Sequence, residues 1–305
     1  MKRTLSVISA PSNLGLMPTA EGQEPGVKRM PEVLISNGLL DGLAVTEVVA
    51  VSPPPYGPAR DPKTGVRNAD AIRAYAVELA TAVERSQANG AFLLVLGGDC
   101  SVLLGPMLAL RRQGDYGLVF IDGHRDFQTP ETSATGGAAG MDLALVTGRG
   151  PDLLTRFEGF PSLVRDEATV VLGYRDERAA EPDGSGAIDG TEIVRLGLDA
   201  VREIGSSRAA SEALSLIQAS GARGFWLHVD ADVLSSDVMP AVDSPQPGGM
   251  SYAELQALLV PLVQSDLAVG LEVTIYDPAL DPSGAVGLAF AGFVTDTLAK
   301  AGYGA

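Results

Sequence analysis

GLVFIDGHRD (117–126) and GFWLHVDAD (224–232) decide the reading of this chain. Each begins as a short apolar run of the kind found in strands buried on both faces. Each ends in acids and a histidine spaced two apart: Asp122, His124 and Asp126 in the first, His228, Asp230 and Asp232 in the second. Side chains at i, i+2 and i+4 of a strand share a face, so each stretch aims three oxygen or nitrogen donors in one direction. The two histidines are the only ones in the chain. Donors grouped in this way are what a pair of divalent metal ions requires.

Outward from these two segments, apolar β-rich runs alternate with helical patterns. The expected strands are 4–9, 45–51, 91–96, 117–122, 169–174, 191–196, 224–230 and 267–274. Helical periodicity predicts helices near 31–40, 69–88, 101–113, 208–219, 251–264 and 284–301. The helix at 69–88 carries an apolar stripe (Ile72, Tyr75, Ala76, Leu79, Val83), with Asn68 and Asp70 as expected caps. This alternation predicts an α/β fold, a mostly parallel sheet covered by helices on both faces. No low-complexity linker or repeat divides the sequence, so residues 1–305 read as one domain. In such a fold, ligands bind beyond the carboxyl ends of the strands.

Composition narrows the function classes. A hydrophobic content of 46% is ample for one large core, and a formal charge of −16 would repel nucleic acid. Two divalent ions would offset only part of that charge, so most of the acids belong to a solvated surface. Cys100 is the single cysteine, which excludes an internal disulfide and fits a reducing cytoplasm. The first residues, MKRTLSVISAPSN, lack the long apolar region of a signal peptide. No apolar run approaches the ~20 residues of a membrane span.

A third strand end adds to the donor set. After AFLLVL (91–96) come Gly97-Gly98-Asp99-Cys100-Ser101. If the three strands are neighbours, Cys100, Asp122, His124, Asp126, Asp230 and Asp232 meet in one place. Six donors exceed what one tetrahedral ion needs, and carboxylates can bridge. Two ions roughly 3.5–4 Å apart would share and deprotonate a water. Gly97-Gly98 lacks the spacing of a dinucleotide fingerprint, and Ser101 reads as a helix cap rather than a nucleophile.

GGDCS (97–101), DGHRDF (122–127) and HVDADVLSSDVMPAVDSPQPGGMSYAEL (228–255) resemble the three signature segments of the arginase/agmatinase (ureohydrolase) family. There they read approximately GGDHS, DAHxD and SxDxDxxDPxxxPxxxxPxxGGLS. The resemblance extends to VKRMPEVLISNGLL (27–40) and VGLEVTIYDPALDP (269–282). It implies a three-layer α/β/α fold around an eight-stranded sheet, a binuclear manganese site and hydrolysis of a guanidino or amidino group. It also implies assembly as a homo-trimer or homo-hexamer. Ligand positions carry over to Asp122, His124, Asp126, Asp230 and Asp232, with Asp126 also orienting the bridging hydroxide.

Three positions depart from the pattern. Cys100 stands where the family has a histidine ligand. As a thiolate it would favour zinc or iron over manganese, and otherwise it is a small buried residue. Ala139 stands where related arginases have a proton-shuttling histidine, and a methyl group does no acid–base work. Ile275 stands where relatives place a glutamate against the substrate guanidinium, so a charge-assisted contact is missing.

Several residues are candidates to fill these gaps. His228 shares the parity of Asp230, which suits an extra ligand, a partner of a ligating carboxylate, a displaced acid–base catalyst or a core histidine. Glu272 should face the opposite side of the sheet from Ile275. Asp277 has the parity of Ile275 and is a candidate contact for a cationic substrate, or a turn residue before Pro278. Gln128 and Thr129 follow the metal loop as polar substrate contacts would, and 129–140 (TPETSATGGAAG) suits a lid or rim.

The sequence therefore predicts a metal-dependent hydrolase of a C–N bond in a small guanidino, amidino or amide compound. The nucleophile would be a metal-bridging hydroxide, and the specificity would be altered. Two other readings remain open: a non-catalytic metal-stabilised binding protein, and a mononuclear zinc amide hydrolase.

Overall fold

In a computed structural model, which describes residues 3–176 and 185–305, all eight expected strands form. They are β1 (Leu5–Ala10), β2 (Val45–Ala50), β3 (Phe92–Gly97), β4 (Gly117–Ile121), β5 (Thr169–Leu172), β6 (Val194–Leu196), β7 (Phe225–Asp230) and β8 (Ala268–Thr274). They form one sheet in the order β2-β1-β3-β8-β7-β4-β5-β6. Every pairing is parallel, so the sheet goes beyond the mostly parallel one expected. Strands β3, β4 and β7 are buried along their whole length, which is why they read as unbroken apolar runs rather than alternating ones.

The helices are α1 (Met30–Ser36), α2 (Ala69–Gln87), α3 (Leu104–Gln113), α4 (Asp142–Val146), α5 (Asp152–Thr155), α6 (Leu198–Ile204), α7 (Ser206–Ala219), α8 (Tyr252–Gln264) and α9 (Ala285–Leu298). Alternate strand residues divide the core in two. Leu94, Leu96, Val119, Ile121, Leu227 and Val229 pack with α1, α7, α8 and α9. Leu93, Val95, Phe120 and Trp226 pack with α2, α3 and α4 on the other face. The result is the expected three-layer α/β/α arrangement. Among the described residues, no helix is long and apolar enough to cross a membrane.

Some local expectations need correction. The stripe of α2 is buried as predicted, but Asn68 does not cap it. Asn68 sits at φ +53° and is turned away from the helix amides. Its amide accepts from the Gly57 N–H at 2.7 Å and donates to the Leu14 carbonyl at 2.8 Å, tying two loops together. Ser101 is likewise not the cap of the turn after β3. Asp99 is, accepting from the Ser101 N–H at 2.9 Å. Helices α4, α5 and α6 were not anticipated; at one or two turns each they are too short for periodicity to register.

The central strands β3, β8, β7 and β4 are consecutive in the sheet, so their carboxyl ends converge. Gly98, just past β3, makes this close approach feasible: a Cβ there would fall inside the Ser12 carbonyl. Asp99 adds to the junction, its N–H donating to Ser12 O at 3.2 Å and its carboxylate accepting from Ser12 Oγ at 2.6 Å. Gly98→Ala is therefore expected to cost at least ~2 kcal/mol of stability through forced displacement of these two loops. Urea unfolding would check this; a midpoint equal to that of the parent chain would refute it.

Candidate metal centre

Both acid–histidine stretches are built by the same local device. Asp122 Oδ1 accepts the N–H of His124 at 2.6 Å, and Asp230 Oδ1 accepts the N–H of Asp232 at 2.7 Å. These are side-chain turns in which a carboxylate bonds the backbone two residues on. Strand alternation thus accounts for His228 and Asp230, which lie within β7, but not for 122–126, because β4 ends at Ile121. Asp126 is reached through a left-handed backbone at φ +42°. The 122–126 loop is fixed from behind, where the buried Arg125 pairs with Asp176 at 3.0 Å. Arg175 donates to the carbonyls of Asp232 at 2.8 Å and Gln246 at 3.1 Å, holding the second loop.

The donors fall into two groups, each with its ligand atoms within 4.8 Å of one another. One is Asp122, His124 and Asp232, with His124 Nδ1 at 2.9 Å from Asp232 and 3.7 Å from Asp122. The other is Cys100, His228 and Asp230, with Cys100 Sγ at 2.8 Å from Asp230 Oδ2. Five of the six predicted ligands are in these groups. Asp126 is in neither, although it lines the cavity above them. His228 belongs to the deeper group and is fully enclosed.

Without cations this arrangement is electrostatically unfavourable. Burial, reinforced by Asp232, pushes Asp122 up to about 6. Burial and then repulsion from neighbouring carboxylates hold Asp126, Asp142 and Asp230 well above the ordinary value. Burial opposes a charge on His124, but Asp232 and Asp122 outweigh it and hold the imidazole protonated. Asp232 is also opposed by burial, yet His124 and Arg175 keep it low. Burial, with Asp230 beside it, keeps Cys100 a thiol. Asp122 Oδ2 and His228 Nε2 have no hydrogen-bond partner among the described residues. Buried carboxylates that repel one another, with unpartnered donor atoms among them, fit divalent cations.

A cavity of about 500 Å³ opens above these groups. Cys100, His124, Asp126, Asp230 and Asp232 lie on its floor. Ala139 and Ile275 are on its wall, so, with Cys100, all three positions that depart from the family pattern line the cavity. Ile275 is held at φ +75°, where a β-branched residue is strained, with its N–H donating to Gly98 O at 2.7 Å. Gln128 lines the cavity as expected.

Thr129 does not line it; Thr129 is taken up in a tight turn, its carbonyl accepting from the Thr132 and Ser133 amides. Asp277 is on the wall, but its carboxylate accepts from Gly26 N at 2.9 Å and Ala279 N at 2.7 Å. That is the turn role before Pro278. Glu272 lies on the face opposite Ile275, as parity predicted, bonded to His228 at 2.7 Å. The 129–140 segment forms part of the rim. It is tied down by Arg60 to Ser133 O at 2.9 Å and by Arg67 to Thr135 O at 2.8 Å.

Three residues of the site were missed. Asp142 is fully buried beside Asp122 and Glu272. Asp243, which is exposed, lines the cavity, and Gln246 Nε2 lies 2.9 Å from His124 Nε2. Asp142 carried the only usable sequence signal, an acid at the start of an apolar run. The other two sit in an irregular loop that no periodicity describes.

Comparison with known proteins gives the family and the fold. The model of the Arginase family matches residues 28–299. An arginase of Bacillus subtilis is 28% identical over 306 residues, spanning 98% of this chain and 99% of the relative. The native structure of Bacillus caldovelox arginase superposes with a TM-score of 0.85 at 25% identity, covering 100% of this chain and 99% of that one. Formimidoylglutamase of Bacillus subtilis, at 16% identity, shares the fold with a TM-score of 0.76 over 98% of this chain and 87% of its own.

Proposed function

Since this chain belongs to the arginase family, we propose that it is a hydrolase of that type whose two donor groups hold two divalent ions and whose substrate is a small guanidino, amidino or amide compound other than the usual one. The observation that carries the reading is the pairing of two intact donor groups with a cavity wall that lacks a carboxylate at Ile275. When bound, such ions polarise the scissile group and bring the ionisation of a water towards neutral pH.

The chain's own residues account for the rest. Asp126 lines the cavity with the donor groups, so its carboxylate is placed to orient a water there and to accept its proton. Gln128 offers an amide to a polar substrate group, and Asp243 offers a carboxylate to a cationic one. Ile275 makes the intervening wall apolar and selects against a guanidinium at that point. The enclosed floor limits bulk water around the reacting carbon. The cavity volume suits a small molecule, and we propose a homo-oligomer as its assembly.

A screen of guanidino, amidino and N-acyl amine compounds for urea, ammonia or amine release tests this reading. Release from one class by the metal-loaded chain is the expected result. No release from any class, with metal bound, would favour a binding role instead. Ile275→Glu is expected to improve KM for guanidino compounds by roughly tenfold to a hundredfold, as one charge-assisted pair would. Steady-state kinetics on the variant would measure this; an unchanged KM would mean that the wall does not contact that group.

A further inference from the structure

We infer that His228 is itself a metal ligand, the only imidazole of the deeper donor group, and that Cys100, His228 and Asp230 form a sulfur–nitrogen–oxygen site for a zinc-class ion. It would lie beside a harder oxygen–imidazole site at Asp122, His124 and Asp232. This inference rests on the two-ion reading above and specifies which residue holds which kind of ion.

The geometry of the ring is the starting point. His228 Nδ1 lies 2.7 Å from Glu272 Oε1, and both side chains are fully buried at paired positions of β7 and β8. An ionised Glu272 can only accept, and with that carboxylate ionised Nδ1 carries the proton and the lone pair is on Nε2. Nε2 has no hydrogen-bond partner among the described residues, and its nearest acid is Asp122 Oδ2 at 3.9 Å, itself unpartnered. The ring is stacked on Phe120 at 4.4 Å between centroids and 11° between planes, so it cannot easily turn elsewhere. A carboxylate that fixes the tautomer and a ring that cannot rotate are the usual setting of a ligating imidazole.

The alternative roles are weaker. A substrate-facing acid–base role needs access, and His228 is absent from the cavity lining. A satisfied core histidine would have a partner at both nitrogens, and this one has a partner at one. Cys100 Sγ, in contrast, is on the cavity floor and within bonding range of Asp230, with Thr274 Oγ1 at 3.2 Å on its other side. Cysteine, histidine and aspartate together suit zinc, cobalt or iron better than manganese.

Ligand counting is unusually clean here, because the chain holds two histidines and one cysteine. The test uses full-length, tag-free protein loaded anaerobically with cobalt, read by metal analysis, near-ultraviolet absorption and X-ray absorption fine structure. The expected result is two ions per chain, a sulfur-to-cobalt charge-transfer band, and one imidazole per ion on average. Only half an imidazole per ion in the parent chain would overturn the inference without any variant. His228→Asn keeps a donor for Glu272 but removes Nε2, and should lose one of the two ions together with the sulfur band. His228→Asn combined with Cys100→His should regain the ion without the band. Two ions retained by His228→Asn with the band intact would overturn this inference alone. No ion on the parent chain would overturn the two-ion reading as well.

Discussion

Asp230→Asn is expected to abolish hydrolysis while leaving the metal-free fold at least as stable as the parent. Asp230 accepts from Cys100 Sγ at 2.8 Å and belongs to the deeper donor group, with Asp232 and Asp122 close enough to repel it. Removing its charge weakens ion binding, and with it several kcal/mol of rate enhancement, so activity should fall by ~10³-fold or more. The same change removes one of the crowded carboxylates held well above their ordinary value. A buried group that costs stability until its partner arrives is characteristic of functional sites. The decisive comparison is turnover of the metal-loaded variant against calorimetry of its metal-free form. Activity within tenfold of the parent would contradict the role. A metal-free variant well below the parent in melting temperature would contradict the electrostatic account.

Chelation is expected to destabilise the protein far more at pH 8 than at pH 5. In the metal-free fold Asp122 is raised from 3.8 to about 6, and Asp126, Asp142 and Asp230 are raised in the same direction. The folded chain therefore binds more protons than the unfolded one above the ordinary carboxylate range. Stability is fully present below the unfolded value and is lost as pH rises through the folded one. His124, also raised, acts in the same sense, since it prefers its charged form only in the fold. Asp232 is lowered and acts only at acidic pH, below this window.

For Asp122 alone, raised to about 6, the linkage amounts to ~1.4 kcal/mol between pH 5 and pH 8. That corresponds to a melting-temperature difference on the order of 3 °C, to which the other raised carboxylates add. Divalent ions bind the deprotonated donors and should reverse the trend, with protons released on uptake. Calorimetry of chelated and metal-loaded protein at the two pH values measures both effects. A chelated protein as stable at pH 8 as at pH 5 would mean that the carboxylates do not oppose one another as described.

The outcome at individual residues divides cleanly between what is local and what is not. The apolar runs that became β3, β4 and β7 are legible because buried parallel strands need continuous hydrophobic sequence. The same parity placed His228 with Asp230 and Glu272 opposite Ile275, since strand alternation is fixed by covalent geometry. Parity failed at Asp126, where a left-handed turn replaces the strand. Asp277 shares the cavity wall with Ile275 and takes the turn role before Pro278, while Thr129, expected beside the substrate, is drawn into a tight turn. Asp243 and Gln246 reach the site through a loop whose course depends on contacts distant in sequence, and Asp142 reaches it from the first turn of α4.

The sequence alone determined the layered α/β architecture, the two acid–histidine stretches and the positions at which this chain departs from the arginase pattern. The first two follow from periodicity and spacing along one chain, and the third from the resemblance of its signature segments to that family. Only the tertiary structure decided how the candidate donors divide between two groups, because that depends on β8 lying between β3 and β7 and on β4 lying beyond β7. It also placed Glu272 against Nδ1 of His228 and left Nε2 without a hydrogen-bond partner beside Asp122. A tautomer and an unpartnered lone pair are properties of neighbours in space, and no spacing in the sequence records them.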